Sequence, residues 1–471
     1  MADIIAPPRE GRATGQDVAG SDRNHVLLAL MTPTFSMILM TSMMRVALPA
    51  LRDYFQIDVD LVAWIVTAYT LPYVVFMPLF GRLGDDLGRR RLLLLGMSIF
   101  LMGTVMGLLA PNLAWLMLGR AIQGVGTAGF VPLSMAIISD LFPSNQRGRA
   151  LGTWNSAGPI TGMIAPLLGG LLVDHLGWRT IFVPVLVAAS IALAVVARKV
   201  PALRGNRNVA ALRCFDWGGV LLLSATMVGL LFYVTSEKIT GVTSLQDWRL
   251  LGATLVFLLC FLWWEQRQAD PFVDLSLYSH PSFGLASIGA SIRMFTMSGI
   301  GFVLPLFMAD VYNLNAFQTG VMFMVHAGAL LTTMRLGGQL ADRWGSRRPV
   351  ILGMTVQAAT MTYIALLPPH LNLAWFVAGI VVHGLGAGLS LAALHRAALG
   401  QVPSERMGIA AGLYSMSRFA GSSVGAALSG VLVHQGLNRG LVPVDAYQIV
   451  FNVLAVVAFL GVILVGLRLE E

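Results

Sequence analysis

Along the chain the apolar residues neither alternate nor keep to one helical face. They come in long runs, closed by short clusters of Gly, Pro, Asp and Arg. A helix needs about 20 apolar residues to cross the hydrocarbon of a bilayer, whereas a half-buried strand would alternate with period two. Fourteen such runs are legible, near 26–51, 61–80, 92–110, 113–139, 150–173, 178–198, 217–235, 248–264, 283–309, 316–337, 350–367, 373–398, 408–433 and 446–467. The pattern predicts an all-α integral membrane protein with 14 transmembrane helices, of which 217–235 and 248–264 are short. Residues 1–25 are polar, with Pro7, Pro8 and Arg12, and lack the apolar core and cleavage site of a signal peptide. They are expected to form a cytoplasmic tail, and the first run a permanent span.

Composition sharpens this picture. Of the 471 residues, 56% are hydrophobic and only 11% charged, and the mean hydropathy is +0.75; a soluble domain carries about 25% charged residues. Most of the 31 Lys and Arg fall in alternate loops, on the side that also holds the N-terminus. Such asymmetry in short loops sets topology, so both termini are expected in the cytoplasm of a cell (plasma or inner) membrane. The net charge of +8 then reads as this inside bias, with contact to anionic lipid. It does not point to nucleic acid, whose binders gather their basic residues on one face. Cys214 and Cys260 alone make no disulfide framework. No cofactor motif, no metal-ligand spacing and no Walker sequence occurs, and the protein is expected to be monomeric.

The densest charges lie in "GRLGDDLGRR", residues 81–90, between the second and third runs. A second copy, "GQLADRWGSR", stands at 338–347, pairing Gly81 with Gly338, Asp85 with Asp342, Gly88 with Gly345 and Arg90 with Arg347 at an offset of 257. "LAWLMLGRAIQGVG" (113–126) and "LAWFVAGIVVHGLG" (373–386) match at offset 260, as do "RGRALG" (147–152) and "MGIAAG" (407–412). Two parallel six-helix halves are therefore expected, 26–200 and 281–471, joined by a basic linker and two inserted helices over 201–280. Parallel repeats imply a pseudo-two-fold axis along the membrane normal and a site between the halves at mid-depth.

The doubled turn resembles the loop motif of the major facilitator superfamily, and "GRAIQGVGTA" is similar to its fourth-helix motif. "WNSAGPITGMIAPLLGG" (154–170) resembles the fifth-helix Gly-Pro motif of its antiporters. "FDWGG" (215–219) and "WWEQRQADPFVDLSLY" (263–278) look like the segments flanking the extra spans of its fourteen-helix drug:proton antiporter branch. The resemblance implies a secondary transporter working by alternating access, and export as the direction. It also implies that Gly81, Asp85, Gly88, Arg89, Arg90, Gly338, Asp342, Gly345 and Arg347 latch the cytoplasmic mouth, and that Gly158, Pro159 and Gly162 form the hinge of an exporter in the fifth span, with a plain packing face as the alternative. A carboxylate at Asp85 is expected to open the third helix, where the dipole favours it, and to pair with an arginine of a neighbouring helix. "GVGTAG" (124–129) and "GSSVG" (421–425) fit dinucleotide and hydrolase patterns, but each lies inside an apolar run too long for the strand those motifs need.

Charges at depth are functional candidates by default. Arg45, Arg120, Arg293, Arg335 and Arg418 lie inside the expected spans, with His326 and His383. Arg335 is expected to snorkel to the cytoplasm. No Asp or Glu lies well inside a span; Asp140, Glu265 and Asp310 are near ends. Here the chain departs from the antiporter branch. "LMTSMMRVALP" (39–49) puts Met40 where the branch has an aspartate and Arg45 where it has an asparagine. Arg45, Arg120, Gln123, Arg293, His326, His383, Arg418 and Met40 are the candidates for a substrate and proton pathway. With no buried carboxylate, the cavity is expected to prefer anionic, zwitterionic or neutral amphiphiles over lipophilic cations. A proton, if coupled, would ride on His326, His383 or the substrate. The alternatives are an exporter of an anionic metabolite or lipid without classical proton coupling, an uptake symporter, and a membrane enzyme. An enzyme is disfavoured because no cluster of nucleophile, acid or metal ligands occurs at depth.

Overall fold

The computed structural model describes residues 20–201, 216–235, 237, 241–268, 271, 273–368, 372–400, 402 and 407–466. Within them it describes no side chain for 20, 21, 82, 85, 86, 144, 145, 147–149, 407, 408 and 466. The basic linker and the Asp85 carboxylate thus lie outside the described residues.

What is described is helical. The helices are α1 (Gly20–Phe55), α2 (Val59–Leu87), α3 (Arg89–Leu108), α4 (Leu113–Thr127), α5 (Phe130–Leu141), α6 (Ser144–Asn155), α7 (Ala157–Leu176) and α8 (Phe182–Lys199). They continue with α9 (Trp217–Thr235), α10 (Trp248–Glu265), α11 (Ser276–Ser279), α12 (Pro281–Tyr312), α13 (Ala316–Trp344), α14 (Arg347–Ala365), α15 (Leu373–Leu399), α16 (Met407–Asn438) and α17 (Pro443–Gly466). Helix starts are written locally. Asn112 accepts from Trp115 N at 2.9 Å, and Asn315 forms a capping box with Gln318, satisfying N–H groups that a helix N-terminus leaves unpaired.

All fourteen expected runs fall on these helices, and among the described residues twelve spans are long and apolar enough to cross a membrane. The short α9 and α10 are among the twelve; α14 and α16 are not. Both lie against other helices, where side chains need not face lipid. α14 buries Gln357 and Thr360, and α16 buries Ser415, Ser422, Ser423 and Ser429. The α10 helix faces outward instead, with Trp248, Val256, Leu259 and Trp263 exposed. Trp248 and Trp263 sit toward opposite ends, as in the aromatic belts of membrane helices.

Three local expectations change. The charged stretch is not a loop: α2 runs on to Leu87, and the turn is made by Gly88 alone, at φ +97°. Asp85 therefore ends α2 and does not open α3. Gly345 (φ +77°) makes the equivalent turn between α13 and α14; a residue with Cβ is strained in that region. The run 113–139 is broken into α4 and α5 at Ala128–Gly129. The run 150–173 is interrupted at Ser156, where Pro159, lacking an N–H, cannot bond the carbonyl four residues back.

The packing repeats in register. α1 lies on α7 as α12 lies on α16, α2 on α4 as α13 on α15, α3 on α4 as α14 on α15, and α3 on α8 as α14 on α17. A Cβ at Gly96 would come within 2.6 Å of Gly126 O, and one at Gly353 within 2.6 Å of Gly386 O, so corresponding glycines let corresponding helices touch. Between the two sets, α7 packs on α13 and α2 on α16, with α9 against the α2–α16 seam. The glycines of "GVGTAG" and "GSSVG" are packing glycines: Gly124 lies on Tyr69, Gly421 on Ser291 and Gly425 on Phe295.

These cross-contacts are uneven along the axis. At the face opposite the Gly88 and Gly345 turns, Gly170 and Gly320 lie against backbone of the partner helix. Toward the turn face, no described atom lies within 4 Å of a Cβ built at Gly162, Gly328 or Gly412, and Thr332, Arg335 and Leu336 of α13 are exposed. The helices meet at one face and part toward the other.

Candidate functional site

Mid-way along the helices lie two polar clusters at corresponding positions. In the first, Arg120 and Gln123 are one turn apart on α4 and so share a face. Arg120 is 2% exposed; its Nε donates to Ile65 O at 3.3 Å, an Nη donates to Gln123 Oε1 at 2.8 Å, and its guanidinium lies 4.4 Å from the Tyr69 ring centre. Gln123 donates on to the Thr104 hydroxyl at 3.0 Å. A buried guanidinium with so many donors is costly unless each finds an acceptor or an aromatic face, and α2, α3 and α4 supply them.

In the second cluster His326 of α13 and His383 of α15 lie ring on ring, with Nε2 of one 3.0 Å from Nδ1 of the other. By the repeat offsets they stand where Tyr69 and Gln123 stand in the first. His383 is fully buried, and its Nε2 has no hydrogen-bond partner among the described residues. Beside them Arg293 of α12 donates to Ser390 Oγ at 3.2 Å and Ala387 O at 2.9 Å, while Gln357 also bonds Ser390. Arg418 of α16 faces His395 Nε2 at 3.4 Å and the rings of Tyr414 and Phe419.

Arg45 joins the clusters. It comes from α1, yet its guanidinium lies against Gly301 of α12, where a Cβ would sit 3.3 Å from Cζ. The charges acting on His326 are Arg293 and Arg45, and those acting on His395 are Arg418 and Arg293. Among the described residues, no carboxylate acts on His326, His383 or His395. Arg45, His326, His395 and Arg418 are partly exposed, whereas Arg293 and His383 are buried behind them. An arrangement of this kind can hold an acidic or polar group and pass a proton between imidazoles; it offers a cation no counter-ion.

Met40 does not belong with these residues. It is fully buried in an apolar core, among Met37, Met43 and Met44, where α1 packs on Gly169 of α7. The motif residues serve packing within each set of helices. Arg89 bonds Asp140 and Ala136 O, Arg90 bonds Ala197 O, and Asp342 pairs with Arg396 at 3.2 Å. Gly81 touches Pro132 and Gly338 touches Ala392, while Arg347 starts α14. Among the described residues a Cβ at Gly158 would meet only Ile38; the close approach of α7 to α13 is made instead by Gly170, about three turns on.

Reading the sequence alone missed the far face. Arg52 forms a two-pronged ion pair with Asp310 (2.7 and 2.8 Å), and Tyr447 donates to the same carboxylate at 2.5 Å. Asp174 accepts from Ala316 N and Phe317 N at 3.0 and 2.8 Å, so a carboxylate of α7 caps α13. The available signal was opposite charges at the ends of spans on one side of the membrane.

Known proteins agree with this architecture. The family model described as Major Facilitator Superfamily matches residues 30–287 and again 286–471. The multidrug resistance protein Stp of Mycobacterium tuberculosis is 31% identical over 418 residues, covering 88% of this chain and 77% of that protein. The riboflavin transporter RibZ of Clostridioides difficile is 28% identical over 449 residues, covering 93% and 96%. Among solved structures, a bacterial homolog of the human lysosomal transporter Spinster, inward-facing and unoccupied, matches with a TM-score of 0.69 at 16% identity, covering 96% of this chain and 98% of that one.

Proposed function

The chain belongs to the major facilitator superfamily, and on that footing we propose that it exports an amphiphilic small molecule by rocking two six-helix halves about the central arginine–histidine layer. The halves are 26–200 and 281–471, with α9 and α10 added between them, giving fourteen crossings. The turn face is cytoplasmic, which makes the described state open to the inside. The observation that carries this reading is the uneven contact between α7 and α13, tight at Gly170 and Gly320 and absent at Gly162 and Gly328. Relatives named for multidrug resistance and for riboflavin transport support a small-molecule cargo.

The cargo is anionic, zwitterionic or neutral. An unpaired arginine at depth costs about 2.5 to 3.5 kcal/mol on insertion scales. Arg45, with Arg293 and Arg418 nearby, is relieved by an anion and not by a cation. Inward protons are carried by the His326–His383 pair. In proteoliposomes with an imposed pH gradient, an anionic amphiphilic dye is expected to move and a matched quaternary ammonium dye to stay. Arg45→Ala is expected to lower kcat/KM for the anion at least tenfold and Arg45→Lys to restore part of it. Strong efflux of the cation, unaffected by Arg45→Ala, would return the protein to cationic multidrug antiport.

Asp85 latches the cytoplasmic mouth when it shuts, by pairing with an arginine of a neighbouring helix. Asp85→Asn is expected to cut transport about tenfold with insertion unchanged, because topology is set by the arginines. Cysteine labelling from each side reads the balance of states, and lost transport with unchanged labelling would remove the latch role.

A further inference from the structure

At the face where the helices meet, three ligand-bearing side chains from the two halves converge. Asp58 and Asp60 stand at the start of α2, and His434 lies on the last turns of α16. One ligand atom of each lies within 4.8 Å of the others. Asp60 is only 5% exposed, and its Oδ1 is buried without a hydrogen-bond partner, 3.7 Å from His434 Nδ1. The other imidazole nitrogen, Nε2, is 2.9 Å from the Asn438 amide nitrogen, which leaves Nδ1 as the nitrogen facing the carboxylates. A buried carboxylate oxygen with no donor is expensive; for Nδ1 to take a metal, Nε2 must carry the proton and the Asn438 amide must turn its oxygen to accept it, the usual support of a metal-binding histidine.

We propose that Asp58, Asp60 and His434 bind a divalent transition metal, zinc in the first instance, which staples the outer ends of α2 and α16. A nitrogen among the ligands favours zinc over magnesium or calcium, which take oxygen. Zinc–ligand bonds of about 2.0 to 2.2 Å put tetrahedral ligands roughly 3.4 Å apart, so rotation of the carboxylates must close the present spacing. The backbones are already set: a Cβ at Gly430, one turn before His434, would lie 2.6 Å from Ala63 Cβ, one turn after Asp60. Because one helix belongs to each half, the three ligands assemble only when this face is shut, and zinc binds that state in preference. Such a site is not legible along the chain, since Asp58 and Asp60 lie far from His434 in sequence. Metal binding stands on this geometry alone; the effect on opening rests on the rocking proposed above.

The test uses the purified full chain. Competition with a chromophoric chelator is expected to show one tight zinc site, weakened at least tenfold in His434→Gln and in Asp60→Asn, with magnesium and calcium failing to compete. In a Cys214→Ser, Cys260→Ser background carrying Ala63→Cys, zinc is expected to slow labelling from outside severalfold, and to lose that effect with His434→Gln. Absence of a zinc site, or a site indifferent to both substitutions, would overturn metal binding. Zinc bound at His434 without slowed labelling would overturn the staple and leave metal binding standing. Labelling that depends on pH and His434 in excess chelator, with no zinc site, would replace the metal with a proton on His434.

Discussion

Gly170→Val is expected to cut transport at least tenfold while the protein still inserts and folds. A Cβ there would lie 2.6 Å from Phe317 Cα and 2.7 Å from the Ala316 carbonyl carbon; from the other side, a Cβ at Gly320 would lie 2.9 Å from the Pro166 carbonyl carbon. Backbone at the start of α13 cannot turn aside as a side-chain end could. Overpacking a close contact costs typically about 1–3 kcal/mol, and valine adds two further methyls. The three nearest atoms all belong to the other half, so the cost falls on closing the outer face and not on folding either half. A shift of 3 kcal/mol is roughly 150-fold in the ratio of closed to open states. Proteoliposome transport should drop at least tenfold, and a cysteine at Ala63 should label readily from outside. Full transport in Gly170→Val would mean that α7 and α13 need not meet for turnover.

The second large effect is expected at Arg52 and Asp310. Their side chains are 20% and 17% exposed and joined by two hydrogen bonds, with Tyr447 on the same carboxylate. Hydrogen bonds to charged groups contribute about 1.5–3 kcal/mol, and removing one partner leaves Asp310 with Tyr447 alone or Arg52 with the exposed Asp53 alone. Arg52→Ala and Asp310→Asn should each move the population toward the outward-open state by roughly ten- to a hundredfold and slow turnover accordingly. The pair spans the two halves, so the swapped double variant Arg52→Asp, Asp310→Arg should recover much of the closed state. Single variants that leave outer-face labelling unchanged would show the pair to be no gate, and a failed swap would place the effect on Tyr447 or on packing.

The repeat was legible because both copies obey the same packing rule. Gly96 and Gly126, or Gly353 and Gly386, must be glycine wherever two helices cross at backbone contact, so the spacing survives in the letters. The central arginines and histidines were legible for a related reason: a charge within twenty apolar residues stands out against its cost. Met40 could not be placed from the letters, because an apolar residue suits a pocket wall and a core equally, and only its neighbours separate them. The turn at 81–90 was misread because three glycines look alike in sequence, and only the backbone shows that Gly88 alone takes a positive φ.

By itself the sequence determined the helices, their two-fold repetition, the loops rich in arginine and the lack of an acid at depth. These depend on hydropathy, on local backbone chemistry and on residues close along the chain. The tertiary structure alone decided that Tyr69 underlies Arg120, that Arg45 crosses to α12, that Asp174 caps α13 and that Asp60 faces His434. Each of these joins residues from helices separated by long stretches of chain. Their approach is fixed by the crossing of glycine-lined helices and by which face of the protein is shut, neither of which is a property of any single span.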